Sequence, residues 1–158
     1  MNLKLRNAKI TDMKSVLSLI QELAKFEKEP DAVEITENIL INDGFGENPK
    51  FTVFVAEADE KVVGMALFYE RYSTWKGKSL HLEDLIVSEK YRGKGIGNAL
   101  YTKVLKFAYN NDFKRVAWEV LEWNKVAVNF YKSTGATVFS DWRVAQINEK
   151  ALKKFVNK

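Results

Sequence analysis

A chain of 158 residues, 46% of them hydrophobic and only two of them proline, is long enough for a core of its own, and we expect one domain over residues 1–158. The absence of cysteine excludes disulfides, zinc–thiolate sites and a thiol nucleophile. The single histidine, His81, excludes a metal site built from several histidines, and we interpret it as a structural strand residue.

The net charge of +4 comes from 25 basic and 21 acidic residues that are spread along the chain. This balance suits an anionic cofactor, and without an arginine-rich block or an aromatic–basic pattern we expect no nucleic-acid partner. No apolar run reaches the roughly 18 residues of a membrane span, so no membrane partner is expected. The N-terminal sequence MNLKLRNAKI lacks the apolar segment of a signal peptide, which predicts a cytoplasmic protein.

The front half of the chain predicts strands and helices in mixed order. Residues 3–8 alternate as in a short strand, and apolar residues then recur at helical spacing from Met13 to Ala24, so a first helix should end near Pro30. The predicted elements that follow are a helix over 35–41 capped by Thr36, a loop over 43–49, strands over 51–58 and 61–72 joined by a turn at Asp59-Glu60, and a strand over 80–87.

The back half predicts further alternation of the two types. The elements are a helix from Ile96 to about Asn110, a strand over 115–121, a helix over 125–133, strands over 137–139 and 143–147, and a last helix over 148–156. Asn124 is a typical N-cap and Gly135 a typical C-terminal stop for the 125–133 helix. The order predicts an α/β fold whose mixed, mainly antiparallel sheet has about six to seven strands, with helices on both faces.

Three glycines at alternate positions, Gly93, Gly95 and Gly97, separate the strand that ends at Val87 from the helix that begins at Ile96. The first amides of a helix have no intrahelical partner and lie at the positive end of its dipole, so this turn is typical of an anion site. The spacing fits neither a P-loop nor a GxGxxG loop. From the glycines alone, an ordinary strand-to-helix turn is an equal alternative.

The remaining pattern, Arg92-x-x-Gly95-x-Gly97, resembles the acyl-CoA pyrophosphate loop of the GNAT superfamily of N-acetyltransferases. Other matches cover nearly the whole chain and are most similar to the diamine group, which includes the spermidine/spermine and thialysine enzymes. The matching stretches are Glu22-Leu23-Ala24-Lys25-Phe26-Glu27, Asp43-Gly44-Phe45-Gly46, Tyr72-Ser73-Thr74-Trp75-Lys76-Gly77, Leu82-Glu83-Asp84, Tyr91-Arg92-Gly93-Lys94-Gly95-Ile96-Gly97, Trp123-Asn124, Asn129-Phe130-Tyr131-Lys132 and Gly135-Ala136.

This resemblance implies a GNAT fold, acetyl-CoA as cosubstrate without a metal, and a set of cofactor-binding residues. Backbone groups of residues 85–87 would pair with the pantetheine arm as a neighbouring strand does, and residues 93–98 would wrap the pyrophosphate. The side chains of residues 85–87 are compatible with a plain core. The implied set is Leu85, Ile86, Val87, Arg92, Gly93, Lys94, Gly95, Ile96, Gly97, Asn98, Asn124, Lys125, Val126, Ala127 and Tyr131.

An amine must lose its proton before it attacks a thioester, so the site needs a base. The resemblance gives that role to Glu83, directly or through water, and gives Tyr131 the role of proton donor to the CoA sulfur. Because successive strand residues point to opposite faces, Asp84 is not expected to form a carboxylate pair with Glu83. The structural alternative for Glu83 is a strand carboxylate paired with a neighbouring basic residue. The alternative for Tyr131 is an aromatic side chain that packs beside Phe130.

Cationic amines bind to carboxylates and aromatic faces. The candidate substrate-binding residues are Phe26, Glu27, Trp75, Glu83, Asp84, Glu119 and Trp142. Two departures favour a thialysine-like amino acid or a short diamine over spermine. The segment before Trp75 lacks an aspartate that polyamine-acetylating members carry there, and Ser140 replaces an acidic residue before Trp142.

Three other functions stay open from the sequence: a polyamine acetyltransferase, a protein lysine or N-terminal acetyltransferase, and a non-catalytic acyl-CoA-binding module. The presence of both Glu83 and Tyr131 argues against the module. The sheet edge and the predicted late strands suggest a homodimer, which the resemblance also implies. The expected partner of the protein is a small-molecule amine substrate.

Overall fold

The computed structural model describes residues 2–157, which form two compact units, one ending at Glu119 and the other beginning at Val120. The first unit contains β1 (Leu3–Asn7), α1 (Met13–Phe26), α2 (Glu37–Phe45), β2 (Thr52–Ala58), β3 (Lys61–Ser73), β4 (Gly77–Val87), α3 (Ile96–Asn110) and β5 (Arg115–Ala117). The second unit contains α4 (Lys125–Ser133) and α5 (Glu149–Val156). None of the helices within residues 2–157 is long and apolar enough to cross a membrane.

The strands of the first unit form one sheet in the order β1-β2-β3-β4-β5. The pairings from β1 to β4 are antiparallel, and β5 runs parallel to β4, which it follows by way of α3. The mixed α/β class is therefore confirmed. The prediction of six to seven strands is wrong, because the described part of the chain has five.

The two strands that fail to form were predicted over 137–139 and 143–147, which have no regular secondary structure. Their apolar side chains face solvent: Phe139 is 65% exposed and Val144 is 60% exposed. A short alternating segment becomes a strand only when it has a partner and a face to bury. Alternation alone was therefore insufficient here.

One face of the sheet is covered by α1 and α2. Residues of α1 spaced by three, Met13, Val16 and Leu19, are almost fully buried, which is the apolar stripe that predicted this helix. They pack in one cluster with Leu40 of α2 and with Val53, Val55, Met65, Leu67 and Ile86 of the sheet. Burial of each such side chain is worth about 1.5–3 kcal/mol, so this cluster is a main source of stability.

The opposite face carries α3. The Phe54 and Phe68 rings of the sheet lie 5.7 Å and 5.1 Å from the Phe107 ring of α3, and 4.9 Å from each other. Leu100 and Val104 of α3 are fully buried. Since this packing holds the helix against the sheet, the start of α3 has a fixed position at the end of β4.

The bounds of α3 and α4 match the predictions residue for residue, because apolar periodicity and end signals agree there. The two-residue turn at Asp59 and Glu60 is also confirmed, and both residues have positive φ angles. Three other bounds differ from the predictions. α1 ends at Phe26 rather than near Pro30, α2 extends to Phe45, into the predicted loop, and β5 stops at Ala117 rather than at residue 121.

Candidate active site

A β-bulge in β4 lies at Glu83. Leu67 of β3 stands opposite Asp84, whereas the next residue, Phe68, stands opposite Leu82, so Glu83 is the extra residue of β4. A bulge bends its strand and re-aims the side chains beside it, and such features are frequent next to active sites. The side-chain alternation of β4 therefore changes phase at this point.

The change of phase brings Glu83 and Asp84 to one face of the sheet. Tyr69 donates a hydrogen bond of 2.9 Å to Glu83 Oε2. Asp84 lies opposite Leu67, which is two residues from Tyr69 on β3 and therefore on the same face. The prediction that the two carboxyls point to opposite faces is wrong, because it assumed a regular strand.

The carboxyl of Asp84 is largely buried, and its pKa is raised to about 6. Burial is the main cause, and the negative charges of Glu83 and Glu27 add to it. Burial also raises the pKa of Glu27, which follows the last residue of α1. Glu27, Glu83 and Asp84 thus form a carboxylate cluster that favours a cation or holds a proton.

Three residues beside this cluster were missed as functional by the sequence reasoning: Tyr69, Arg71 and His81. The pKa of Tyr69 is raised to about 12, first by burial and then by its hydrogen bond to Glu83. His81 Nε2 lies 3.4 Å from Glu83 Oε2, and Arg71 Nη1 lies 3.2 Å from His81 Nδ1. Strand alternation gave a signal, since residues 69 and 71 share a face, but the register that brings His81 to them is invisible in the sequence.

The glycine turn leads into α3, whose first-turn amides are suited to an anion. Gly93 and Gly95 have φ angles of 73° and 78°, a left-handed conformation that favours glycine, and no atom lies within 4 Å of where a Cβ would stand. No side chain caps α3, and its first turn has no acidic residue. The amides of Ile96, Gly97 and Asn98 lie at the positive end of a 15-residue helix.

Arg92, a predicted cofactor residue, is engaged within the protein. Its Nε donates a 2.9 Å hydrogen bond to the Val87 carbonyl, one Nη lies 3.7 Å from Glu22 Oε1, and the guanidinium lies over the Phe26 ring. These contacts tie the glycine turn to α1. Lys94 lies over the Tyr91 ring, with its Nζ 5.1 Å from the ring centroid.

The end of β4 offers backbone groups on one side. β4 pairs with β3 over its whole length, but β5 accompanies it only at residues 79–81. Beyond His81, the edge of β4 that would face β5 has no neighbouring strand among the described residues. Leu85, Ile86 and Val87 lie on this edge, where an amide-bearing ligand can pair with the backbone.

Trp75 lies apart from the carboxylate cluster. It is 78% exposed in the β3–β4 turn, before the start of β4 at Gly77, and Glu83 lies six residues further along the strand. That separation corresponds to about 20 Å of strand. Ser73 shapes the turn, because its Oγ accepts hydrogen bonds from the amides of Trp75 and Lys76. Glu119 lies near the cluster, since its charge contributes to the raised pKa of Tyr69.

In the second unit, the Asn124 side chain accepts a 3.2 Å hydrogen bond from the Ala127 amide and so caps α4, as predicted. Lys125 and Val126 form the first turn of this helix, and Val126 is 83% exposed. Tyr131 is buried on α4 beside the Phe130 ring. Trp142 lies in the irregular segment and is exposed.

Comparison with known proteins gives the family. The sequence profile described as "Acetyltransferase (GNAT) family" matches residues 14–136, well over half of the chain. The chain belongs to the GNAT family of acetyltransferases. It is an acetyl-CoA-dependent N-acetyltransferase that acts on an amine, and the resemblance inferred from the motifs is confirmed.

The relatives of this acetyltransferase include thialysine N-epsilon-acetyltransferase of Bos taurus, 39% identical over 98% of this chain and 97% of that protein. The human spermidine/spermine N(1)-acetyltransferase-like protein 1 is 35% identical over 94% of this chain and 23% of that protein. An integron cassette protein from the V. cholerae mobile metagenome has the same fold, with a TM-score of 0.81 at 24% identity over 100% of this chain and 99% of that chain.

Proposed function

We propose that this acetyltransferase acetylates the primary amine of a small acceptor, either a thialysine-like amino acid or a short diamine. The observation that carries the proposal is the carboxylate cluster at the bulge. The charges of Glu27 and Glu83 both act on Asp84, and Glu83 and Asp84 lie on the part of β4 that has one free edge. Such a cluster attracts an ammonium group and provides a group that takes its proton.

We assign Glu83 as the base that takes the proton, directly or through one water. Its side chain is 51% exposed, so an acceptor reaches it, whereas Asp84 is largely buried. The deprotonated nitrogen then attacks the acetyl carbonyl carbon, an N–C bond forms and the C–S bond to coenzyme A breaks. Asp84 and Glu27 hold the cationic part of the acceptor through their charges, with Phe26 and Glu119 at the border of the site.

Tyr131 enters the proposal through the family resemblance. A phenol is neutral at physiological pH and donates well, so it is a suitable proton source for the departing thiolate. Asn124, Lys125, Val126 and Ala127 are assigned to the pantetheine arm on the same ground. Trp75 and Trp142 stay candidates for acceptor binding by the same resemblance.

The residues at the start of α3 fit the diphosphate of acetyl-CoA, which supplies the acetyl thioester when bound. The first-turn amides of α3 carry no side-chain cap, and the space beside Gly93 and Gly95 is open. Lys94 adds a positive charge next to these amides. Arg92 serves this site through its contacts with Glu22 and Val87, which hold the turn in position.

The choice of acceptor rests on the relatives and on two serines. Thialysine N-epsilon-acetyltransferases of Bos taurus and Sus scrofa are each 39% identical over 98% of this chain. The segment 72–74 before Trp75 has no acidic residue, and Ser73 within it is buried and accepts hydrogen bonds from the turn amides, so this segment adds no negative charge for a polyamine. Ser140 likewise adds none. A polycation with three or four charges therefore has fewer carboxylates to contact.

A thiol-release assay with acetyl-CoA tests the proposal across thialysine, lysine, short diamines, spermidine, spermine and lysine peptides. We expect the highest kcat/KM with thialysine or a short diamine. A clear preference for spermine would make this protein a polyamine acetyltransferase, and a preference for peptides would make it a protein acetyltransferase. The Glu83→Gln variant, assayed with the same panel, shows whether turnover depends on the proposed base.

We also propose a cytoplasmic homodimer, on the family resemblance. The late strands that suggested a homodimer do not form, so that argument no longer supports the dimer. Light scattering of the purified protein measures its mass directly. A monomer mass at assay concentrations would contradict the proposal.

A further inference from the structure

His81 is the chain's single histidine, and it is held between an arginine and the proposed base. Its side chain is only 9% exposed. Arg71 Nη1 lies 3.2 Å from Nδ1 on one side of the ring, and Glu83 Oε2 lies 3.4 Å from Nε2 on the other. The Tyr69 ring packs against the imidazole with centroids 5.3 Å apart. The imidazole is therefore fixed in position and orientation.

The contact with Arg71 determines which ring nitrogen carries the proton. A guanidinium only donates hydrogen bonds, so Nδ1 must accept and cannot carry a hydrogen. A neutral imidazole with an unprotonated Nδ1 has its hydrogen on Nε2. That hydrogen faces the Glu83 carboxylate, which is an acceptor when ionised.

We infer that His81, held in its Nε2-protonated tautomer by Arg71, is a positioning residue for Glu83. Together with the Tyr69 hydroxyl it anchors Oε2, and within residues 2–157 both of these close contacts of the carboxylate go to that oxygen. Oε1 is thereby directed to the acceptor amine or its bridging water. This inference rests on the proposed function, since it needs Glu83 as the base.

The contact of 3.4 Å is long for a hydrogen bond, and catalytic contacts of this kind tighten when the substrate binds. Anchoring matters here because Glu83 is the extra residue of a bulge and is half exposed, so its side chain has several accessible rotamers. Two donors on one oxygen select a single rotamer. A base with a fixed free oxygen reaches the attacking geometry more often.

Other charged or titratable groups that face this site come from four parts of the first unit. Tyr69 and Arg71 belong to β3, Asp84 to β4 and Glu27 to the end of α1, and Glu119 follows β5. Arg71 is the one cation among them, so it also offsets the repulsion between the carboxylates. Replacement of Arg71 by methionine removes both the donor to His81 Nδ1 and the positive charge near the carboxylates, whereas replacement by lysine keeps the charge and a donor.

Nuclear magnetic resonance reads the tautomer directly, because a chain with one histidine gives one pair of ring nitrogen signals. In the untagged protein labelled with ¹⁵N-histidine, at a pH where the imidazole is neutral, we expect the Nε2-protonated pattern. Arg71→Met should produce a mixture of tautomers, and Glu83→Gln should shift the Nε2 signal. A Nδ1-protonated pattern, or a tautomer indifferent to Arg71→Met, would overturn the inference.

Kinetics test the consequence. Arg71→Met is an exposed change that spares the core, and His81→Phe removes the donor; each should lower kcat about tenfold with the KM for acetyl-CoA unchanged. His81→Gln keeps an N–H near the Nε2 position and should recover part of the loss. Lys61→Met removes an exposed cation at the far end of β3, so it is the matched control for Arg71→Met and should match the wild type.

The outcomes separate the two proposals. If Glu83→Gln abolishes turnover while Arg71→Met and His81→Phe turn over at the wild-type rate, the positioning role is wrong and the base assignment stands. If Glu83→Gln keeps full turnover, the base assignment is wrong, and the tautomer measurement still decides whether Arg71 and Glu83 orient His81.

Discussion

Glu83 and Asp84 are consecutive residues of β4, yet their carboxyls lie on the same face of the sheet. The bulge makes this possible by inserting Glu83 between the pairs Leu67–Asp84 and Phe68–Leu82. Burial raises the pKa of Asp84 to about 6, and repulsion from the neighbouring Glu83 carboxylate contributes to this shift. The folded protein therefore stores an electrostatic cost at the site.

Asp84→Asn should stabilise the folded protein, and the gain should depend on pH. The folded-state pKa of about 6 lies above the ordinary value of 3.8, so the folded state binds the proton more tightly than the unfolded state. The stability from that proton is fully present below pH 3.8 and is lost as the pH rises through about 6. The variant should gain at most ~3 kcal/mol at about pH 8 and almost nothing near pH 4.

Denaturant unfolding at both pH values measures this difference. Asp31→Asn, a change of the same type at an exposed position, is the control against which the gain is compared at each pH. Glu83→Gln should lower the Asp84 pKa, since it removes a neighbouring charge. An equal gain from Asp84→Asn at both pH values would mean that Asp84 is not the perturbed group.

Glu83→Gln and Asp84→Asn should affect different kinetic constants. Loss of the base should lower kcat by about a hundredfold or more with little change in acetyl-CoA affinity, because glutamine cannot accept the proton. Loss of the Asp84 charge should mainly raise the KM for a cationic acceptor. Steady-state assays with thialysine or a short diamine, together with calorimetry for coenzyme A, distinguish these effects. The same loss of kcat from both variants would mean that the two carboxyls act as one unit.

Much of the fold was predictable from the sequence because several signals coincided. For α4, an apolar period, the Asn124 cap and Gly135 as a stop all indicate the same helix, and the structure agrees at both ends. The glycine turn before Ile96 was predicted in the same way. Where only one signal was present, as in the alternating segment around Trp142, the predicted strand does not form.

The geometry of the candidate site was not predictable to the same degree. Glu83 was identified by a motif, but its partners Tyr69 and His81 depend on the register between β3 and β4. A bulge leaves no mark in the alternation of a strand that is apolar on both faces around it. The sequence therefore singled out both carboxyls as candidates and misplaced the direction of one of them.

Asp12→Ala should destabilise the first unit. The Asp12 carboxylate lies 2.6 Å and 3.0 Å from two nitrogens of Arg6 and accepts a 2.7 Å hydrogen bond from the Lys9 amide. Arg6 also contacts Glu57, so this pair ties the start of α1 to β1 and β2. Arg6 keeps its contact with Glu57 in the variant, so the loss is that of the charged hydrogen bonds to Asp12 and should be about 1.5–3 kcal/mol at neutral pH.

Acid should produce the same loss in the wild type. The hydrogen bond from Arg6 holds the pKa of Asp12 below its ordinary value of 3.8. A lowered pKa contributes stability above pH 3.8 that disappears as the pH falls through the folded-state value. Denaturant titrations at several acidic pH values should therefore show Asp12→Ala and the wild type converging. Asp31→Ala, an exposed change, is the control, and a wild type that stays more stable than Asp12→Ala by the same amount at every acidic pH would contradict the prediction.

Gly95→Ala should cost stability and also weaken binding of coenzyme A. Gly95 has a φ angle of 78°, and an alanine there is strained by about 1–2 kcal/mol. Gly135 is the matched control, because its φ angle is 90° and the space beside it is equally open. Both variants should lower the free energy of unfolding by similar amounts.

Only Gly95→Ala adds a methyl group and strain where the first amides of α3 meet the proposed diphosphate. Calorimetry should therefore show weaker coenzyme A binding for Gly95→Ala alone, and equal affinity in both variants would remove the glycine turn from the cofactor site.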